Sequence, residues 1–306
     1  MERILITGGA GYKGVLLAQK LLAEDYEVTI MDNFMYGYNP VIHLLTYPKL
    51  TVIKRDVRIE DYDHLKNYDV VYHLAGISGY PACEANPNSA KLINVDATRN
   101  IAEKLSRDQL LIYASTTSFY GKSGAVCHED TEVSPVSMYG ITKYQGEQIC
   151  MQHPNAISLR FATVFGVSPK MRPDLLVNDF VYKAVTERSL VLFESVTKRT
   201  FIHITDTINA YVHALKTRAV MQGNIFNVGS NDLNYTKMEI AKAVQAQVPC
   251  TIIDSEMKDF DTRNFIINYD KITKTGYVVQ HTLEEGIRDL VRLYSFYRVY
   301  SPYNII

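Results

Sequence analysis

Tyr139 and Lys143, in the run Tyr139-Gly140-Ile141-Thr142-Lys143, put a phenol and an ammonium four residues apart, on one face of a helix. A lysine cation beside a tyrosine favours tyrosinate and draws its pKa down from about 10. A phenol tuned in this way takes the proton of an alcohol while the hydrogen on the same carbon leaves as hydride. Such chemistry needs a hydride-accepting cofactor. The same spacing recurs at Tyr62-Asp63-His64-Leu65-Lys66, but in a short acidic segment at the sheet's periphery. Context separates the two. Tyr139 follows a strand pattern whose carboxyl end carries Ser115-Thr116-Thr117-Ser118, hydroxyls suited to positioning the substrate alcohol.

The first fourteen residues offer that cofactor a seat. An apolar run over residues 4–6 ends in Gly8, Gly11 and Gly14, and a helical pattern (Val15, Leu16, Leu17, Leu21, Leu22) comes at once after it. Gly8 and Gly11 allow the turn and the close approach of a pyrophosphate, whose charge meets the helix N-terminus; Gly14 lets the helix pack closely on the strand. A second strand over residues 27–31 ends at Asp32. A carboxylate there accepts from adenosine ribose hydroxyls and repels a 2′-phosphate, which selects NAD over NADP. Asn33 continues this contact loop, and a third strand, residues 50–54, ends near Asp56-Val57, where the adenine edge rests. The fourth, residues 69–74, runs into Ala75-Gly76-Ile77-Ser78-Gly79, small residues that leave room for a ligand backbone. His73 reads as a core histidine, because no second metal-binding group lies at a helpful spacing; no metal is expected.

The elements that must hold these groups alternate. A helix over residues 88–105 carries Asn94, a strand covers 109–114, a helix 138–152 and a strand 157–161. Such alternation predicts an α/β fold, a Rossmann-type doubly wound parallel sheet with helices on both faces. Beyond Phe165 the pattern loosens into helices near 175–187, 206–216, 236–247 and 283–297 and short strands near 191–193, 201–204 and 224–228. We therefore expect a cofactor domain over residues 1–165, completed by a segment near 200–228, and a smaller, interleaved α/β substrate domain mainly over 166–306. With 306 residues and a net charge of −1, nucleic-acid binding by electrostatics is not expected. No apolar run has membrane-span length, no signal-peptide pattern opens the chain, and the 4 cysteines form no C-x-x-C pair. Reduced thiols in a cytoplasmic protein without a membrane partner are the expectation.

Taken together, Thr7-Gly8-Gly9-Ala10-Gly11-Tyr12-Lys13-Gly14, Asp32-Asn33, His73-Leu74-Ala75-Gly76, Ser115-Thr116-Thr117 before Phe119-Tyr120-Gly121, and Tyr139 to Lys143 resemble the extended short-chain dehydrogenase/reductases that act on nucleotide sugars. The resemblance runs over residues 4–294, with the motifs in the family's order. It implies Tyr139 as general base, Lys143 as its partner and a ligand of the nicotinamide ribose, and Thr116 as the hydroxyl on the reacting oxygen, with Ser115 or Thr117 sharing that role. It further implies cofactor contacts from Tyr12, Leu74, Ala75, Gly76, Ser115 and Val164, and substrate contacts from Ser78, Asn94 and Thr117. Asn178, Arg199 (in Arg199-Thr200-Phe201-Ile202-His203) and Arg263 would meet the nucleotide diphosphate, arginine's planar fork pairing with phosphate oxygens. In the family the two long helices pair subunits, so a homodimer is implied.

Two departures bear on the reaction. Lys13 stands where the glycine motif usually has an aliphatic residue; it reaches the pyrophosphate or snorkels outward. Thr117-Ser118 stand where the 4,6-dehydratases carry an Asp-Glu pair, so the acid and base needed to expel water are missing. What remains is oxidation or reduction at the sugar's C4 through a 4-keto species. A 4-epimerase returns the hydride; a 4-dehydrogenase releases the ketone. The segment from Arg160 to Phe180 resembles a bacterial subgroup that includes the GDP-heptose 4-dehydrogenases of capsule polysaccharide synthesis. A non-catalytic NAD-binding sensor is the reading from a different class, and the presence of Thr116, Tyr139 and Lys143 together weighs against it.

Overall fold

The computed structural model describes residues 2–59, 62–121, 125–257 and 264–299. The chain runs through β1 (Arg3–Thr7), α1 (Gly14–Ala23), β2 (Glu27–Asp32), β3 (Leu50–Lys54), β4 (Val70–His73), α2 (Ala97–Lys104), β5 (Leu110–Thr116), α3 (Met138–Cys150), β6 (Ala156–Phe161) and β7 (Thr163–Phe165). It continues with α4 (Leu176–Thr186), β8 (Ser189–Phe193), β9 (Lys198–His203), α5 (Ile204–Lys216), β10 (Asn224–Val228), β11 (Asn234–Thr236), α6 (Lys237–Gln247), β12 (Thr251–Ser255) and α7 (Leu283–Tyr294). Shorter helical turns and two-residue strands lie between them.

Seven of these strands form one parallel sheet in the order β10-β6-β5-β4-β1-β2-β3. Every residue of β4, β5 and β6 is buried, because helices cover both faces of the sheet centre. Only the edge strand β3 is partly exposed along its length. Alternate side chains serve opposite faces. Ile4, Ile6, Val70, Tyr72 and Ile112 pack with Leu17 and Leu21 of α1 and Tyr211 of α5. Leu5, Val71, Leu111 and Tyr113 pack with Ile101 of α2 and Ile149 of α3. Each such aliphatic side chain contributes about 1.5–3 kcal/mol by leaving water. A third core joins Phe165, Val177, Phe180, Phe201, Ile240, Ile287 and Leu290 beneath β7, β9 and β11, which pair with one another.

The chain begins at β1 in mid-sheet, runs outward through β2 and β3, and returns past β1 to β4. Loops after β1 and β4 therefore leave in opposite directions and open a crevice at the strands' carboxyl ends, where open α/β sheets bind ligands. Residues 224–228 join this sheet beside β6, far along the chain from the other six strands.

Two local features depart from the sequence reading. The helix expected over 88–105 is a helical segment in which Leu92–Asp96 forms a π turn leading into α2. Apolar spacing at 3.6 residues does not register one wide turn. Asn94 sits in that turn, and α3 crosses it so closely that a Cβ on Gly146 would lie 2.6 Å from the Asn94 carbonyl oxygen. β7, β11 and β12 also lie outside the strands that the sequence pattern predicts. β7 has three residues, too few for any periodicity to show.

Candidate active site

The crevice is a single cleft running from Asp32, Asp56 and Val57 at one end to Thr116, Tyr139 and Phe161 at the other. Its floor is the turn after β1. Gly8 has φ +68°, and a Cβ there would lie 2.8 Å from the Ala75 backbone; one on Gly14 would lie 2.4 Å from the Gly8 carbonyl oxygen. Side chains at these positions would fill the space that a pyrophosphate needs, or push α1 off the sheet.

At the first end, Asp32 accepts hydrogen bonds from Phe34 N at 2.8 Å and Ala10 N at 3.1 Å. These fix its carboxyl group at the tip of β2 while it still faces the cleft. Asn33 Nδ2 donates to Asp56 at 3.2 Å, and Arg58 grips the same carboxylate at 2.9 and 2.7 Å. The Arg58 guanidinium holds Asp56 well below the usual carboxylate range.

Tyr139 stands in the first turn of α3. That helix is capped by Ser137, whose hydroxyl accepts from Gly140 N at 3.1 Å, and by Glu84, which accepts from Met138 N at 2.9 Å. Tyr139 lines the cleft; Lys143 lies one turn further on, buried, its Nζ 4.0 Å from the Tyr113 ring centroid. Burial lowers the Lys143 ammonium to about 8. Thr116 faces the cleft from the end of β5, its hydroxyl donating to Ser118 Oγ at 2.9 Å. Ser115 also lines the cleft, with a buried Oγ that has no hydrogen-bond partner. A buried hydroxyl left in that state points to a polar ligand.

Of the residues singled out from the sequence, Gly8, Gly11, Tyr12, Lys13, Gly14, Asp32, Asn33, Asp56, Val57, Leu74, Ala75, Gly76, Ser78, Ser115, Thr116, Tyr139 and Val164 line the cleft. Five others among the described residues do not: Lys143, buried one turn behind Tyr139, and Asn94, Thr117, Asn178 and Arg199. Asn94 spends its amide beneath the cleft, accepting from Ile77 N and donating to Ile77 O and Thr142 Oγ1 at 2.9–3.1 Å. Thr117 turns inward to donate to Phe161 O at 3.2 Å, and Ser118 takes its place on the surface of the cleft. Asn178 is buried, holding Gly166 N at 3.0 Å and Arg172 O at 2.9 Å. The hydrogen bonds of Asn94, Thr117 and Asn178 brace the loops around the cleft. Arg199 is buried on β9, away from the cleft lining. Arg263 lies outside the described residues.

Lys13 does not snorkel outward. Its Nζ lies 4.7 Å from the Phe161 ring centroid and 5.8 Å from that of Tyr211. Burial, with repulsion from Lys143 and Arg172, lowers its ammonium to about 7.

Sequence reasoning missed the outer lips. Tyr36, in the loop after β2, lies under Lys170 Nζ at 4.6 Å, and Arg172 beside it is forked onto Asp174 at 2.7 and 2.6 Å. The basic, proline-flanked run 170–172 was visible, but its pairing with a loop so distant in sequence was not.

Three comparisons place the chain among known proteins. The model of the "NAD dependent epimerase/dehydratase family" matches residues 4–229. An uncharacterized UDP-glucose epimerase, YtcB, of Bacillus subtilis is 30% identical over 247 residues, covering 74% of this chain and 76% of the relative. A UDP-N-acetyl-alpha-D-glucosaminuronate decarboxylase of Bacillus cytotoxicus is also 30% identical, covering 76% of each chain. Among solved structures, the UDP-glucuronic acid 4-epimerase of Bacillus cereus, in complex with UDP-glucuronic acid and NAD, superposes with a TM-score of 0.85 at 25% identity, covering 96% of this chain and 99% of that one. No helix among the described residues is long and apolar enough to cross a membrane. With a glycine turn, an Asp32 terminus and a hydroxyl-lined far end that fit NAD, the chain belongs to the NAD-dependent epimerase/dehydratase family of extended short-chain dehydrogenase/reductases, and is an enzyme with NAD as its cofactor.

Proposed function

We propose that the enzyme acts on a nucleotide-diphosphate sugar at C4, through a 4-keto species, and returns the hydride as a 4-epimerase. The observation that carries this reading is the pairing of Tyr139 and Thr116 at one end of the cleft, with Ser118 beside them where elimination would need a carboxylic acid. NAD, when bound, supplies the acceptor for the C4 hydride. Tyr139 takes the proton of the C4 hydroxyl as the C–H bond breaks, leaving a C=O double bond. Thr116 holds the reacting oxygen, and Lys143, one turn behind Tyr139 on α3, supplies a positive charge next to the Tyr113 ring. Gly8, Gly11 and Gly14 hold the cofactor's pyrophosphate, Asp32 its adenosine ribose, and Ser115 gains the partner it lacks.

Release of the ketone, as in the GDP-heptose 4-dehydrogenases that residues 160–180 resemble, uses the same groups and differs only in the fate of the keto sugar after the first transfer. The UDP-sugars named for the relatives favour UDP as the nucleotide. A cofactor part over residues 1–165 with 200–228, a substrate part over 166–306, a cytoplasmic location and a homodimer paired through the helices around Asn94 and Tyr139 belong to the same proposal.

Product analysis after incubation with UDP-glucose, UDP-glucuronic acid and a GDP-heptose tests it. A C4 epimer without net NADH is the expected result. Stoichiometric NADH with a 4-keto sugar selects the dehydrogenase, and carbon dioxide from the uronic acid selects a decarboxylase. No change in any sugar would sink the C4 reading.

A further inference from the structure

Lys13 has its Cα in the turn that holds the pyrophosphate but its charge elsewhere. Its Nζ reaches the face of Phe161, the last residue of β6, whose carbonyl oxygen accepts from Thr117 in the hydroxyl run. The ammonium therefore stands on the wall at the Tyr139 end of the cleft, with Tyr211 of α5 behind it. Among the described residues no carboxylate and no hydrogen-bond acceptor pairs with it. The charged groups that face it are two further cations, Lys143 of α3 and Arg172 of the loop before α4, and Arg172 is already forked onto Asp174. Tyr211, whose ring centroid lies 5.8 Å from its Nζ, is a phenol. Lys13 is half-buried, so its ammonium gives up part of its water, a cost that methionine in the same space would not carry.

We propose that Lys13 biases the bound cofactor toward its reduced form. A nicotinamide ring carries a positive charge before it takes up hydride and none afterwards. An uncompensated ammonium on the wall of its compartment disfavours the oxidised ring and leaves the reduced one untouched. The inference rests on the hydride being exchanged at the Tyr139 end, as the proposed C4 reaction requires. Its consequence deepens that reading: after the first transfer the chain holds NADH rather than exchanging it, and the hydride stays available for return to the sugar. Lys13 would then set the balance between epimerisation and release of the ketone.

The test is the partition of the bound cofactor. The full chain is equilibrated with an equimolar mixture of NAD⁺ and NADH at about pH 6, where Lys13 is charged. Free cofactor is removed, and the released pool is assayed by its near-ultraviolet absorbance. We expect the wild type to hold NADH over NAD⁺ by roughly tenfold more than Lys13→Met does, and Lys13→Arg to keep the wild-type ratio. The gap between wild type and Lys13→Met should close as the pH rises past 7, because burial has lowered the ammonium to about that value. An unchanged ratio in Lys13→Met overturns the proposal. So does an equal loss of both forms, which would place the ammonium on the pyrophosphate instead. Retention of neither form by the wild type would remove the cofactor itself, and the inference with it, and that outcome is distinct from the other two.

Discussion

The two ends of the cleft are built on opposite electrostatic plans. At the Asp32 end, charge is matched within the chain: Asp56 is gripped by Arg58, and Asp32 accepts two backbone N–H groups. At the Tyr139 end, two ammonium groups, Lys13 and Lys143, face aromatic rings, and among the described residues neither has an anionic partner. The contrast separates recognition from chemistry. A surface that only recognises the adenosine half is complete before anything binds. One that moves a proton and a hydride holds groups whose charge is left for the reactants to answer, and their displaced pKa values record that cost.

The largest effect that separates the ends is expected at Tyr139. Tyr139→Phe removes the proton acceptor and keeps the ring, so kcat should fall by about 10²–10⁴-fold while affinity for NAD stays unchanged. Steady-state rates alongside cofactor titration check both halves. An undiminished rate would take the base away from Tyr139, and lost NAD affinity would mean that the two ends are not independent.

A smaller effect comes from the polar chain beneath the reactive end. Ala75 N donates to Thr7 Oγ1, which lies 2.7 Å from His73 Nδ1; His73 Nε2 lies 2.9 Å from Thr98 Oγ1, which donates to Asn94 O. Because the Thr98 hydrogen goes to Asn94 O, Nε2 carries a proton, and a neutral ring leaves Nδ1 to accept from the Thr7 hydroxyl. Burial favours the same state, lowering His73 to about 3. Because the folded value lies below the unfolded one of about 6.5, stability is complete above about pH 6.5 and is lost as the pH falls toward 3. By about pH 5 the loss from this group should approach roughly 2 kcal/mol. Denaturant titrations at several pH values should show His73→Gln with a shallower acid limb. It will not be flat, since His203 is also held neutral by burial, at about 4. An acid limb as steep as that of the wild type would show that His73 takes up its proton without penalty.

Legibility in the sequence divides along similar lines. Gly8, Gly11, Gly14 and Asp32 are legible because a tight turn and a strand tip dictate residue types over a few consecutive positions. Tyr139 and Lys143 are legible for a related reason, one helical turn being enough to place both. The side-chain amides were not. Asn94 and Asn178 have the right chemistry for phosphate or sugar, but their partners, Ile77 and Thr142 for one and Gly166 and Arg172 for the other, come from separate elements. No local pattern shows that those donors and acceptors are already taken. Lys13 is the mixed case: its departure from an aliphatic pattern was visible, whereas the direction of its side chain depended on Phe161 and Tyr211, more than a hundred residues away.

The smallest expected effect sharpens the comparison from the other side. Phe34 N and Ala10 N donate to separate oxygens of Asp32, so Asp32→Asn keeps one of these two bonds at the tip of β2 and gives up the other. It also removes the charge that repels a 2′-phosphate. Discrimination between NAD and NADP should shrink by about tenfold, equivalent to roughly 1.4 kcal/mol, while the rate at saturating cofactor is preserved. Competition between the two dinucleotides, followed by cofactor fluorescence, measures the first quantity, and turnover at saturation the second. A fall in turnover at saturation would mean that the charge at Asp32 is felt at Tyr139, so that the two ends do not work as separate parts. Unchanged discrimination would place the selection against NADP on backbone contacts in the loop after β2, where Phe34 and Tyr36 also line the cleft.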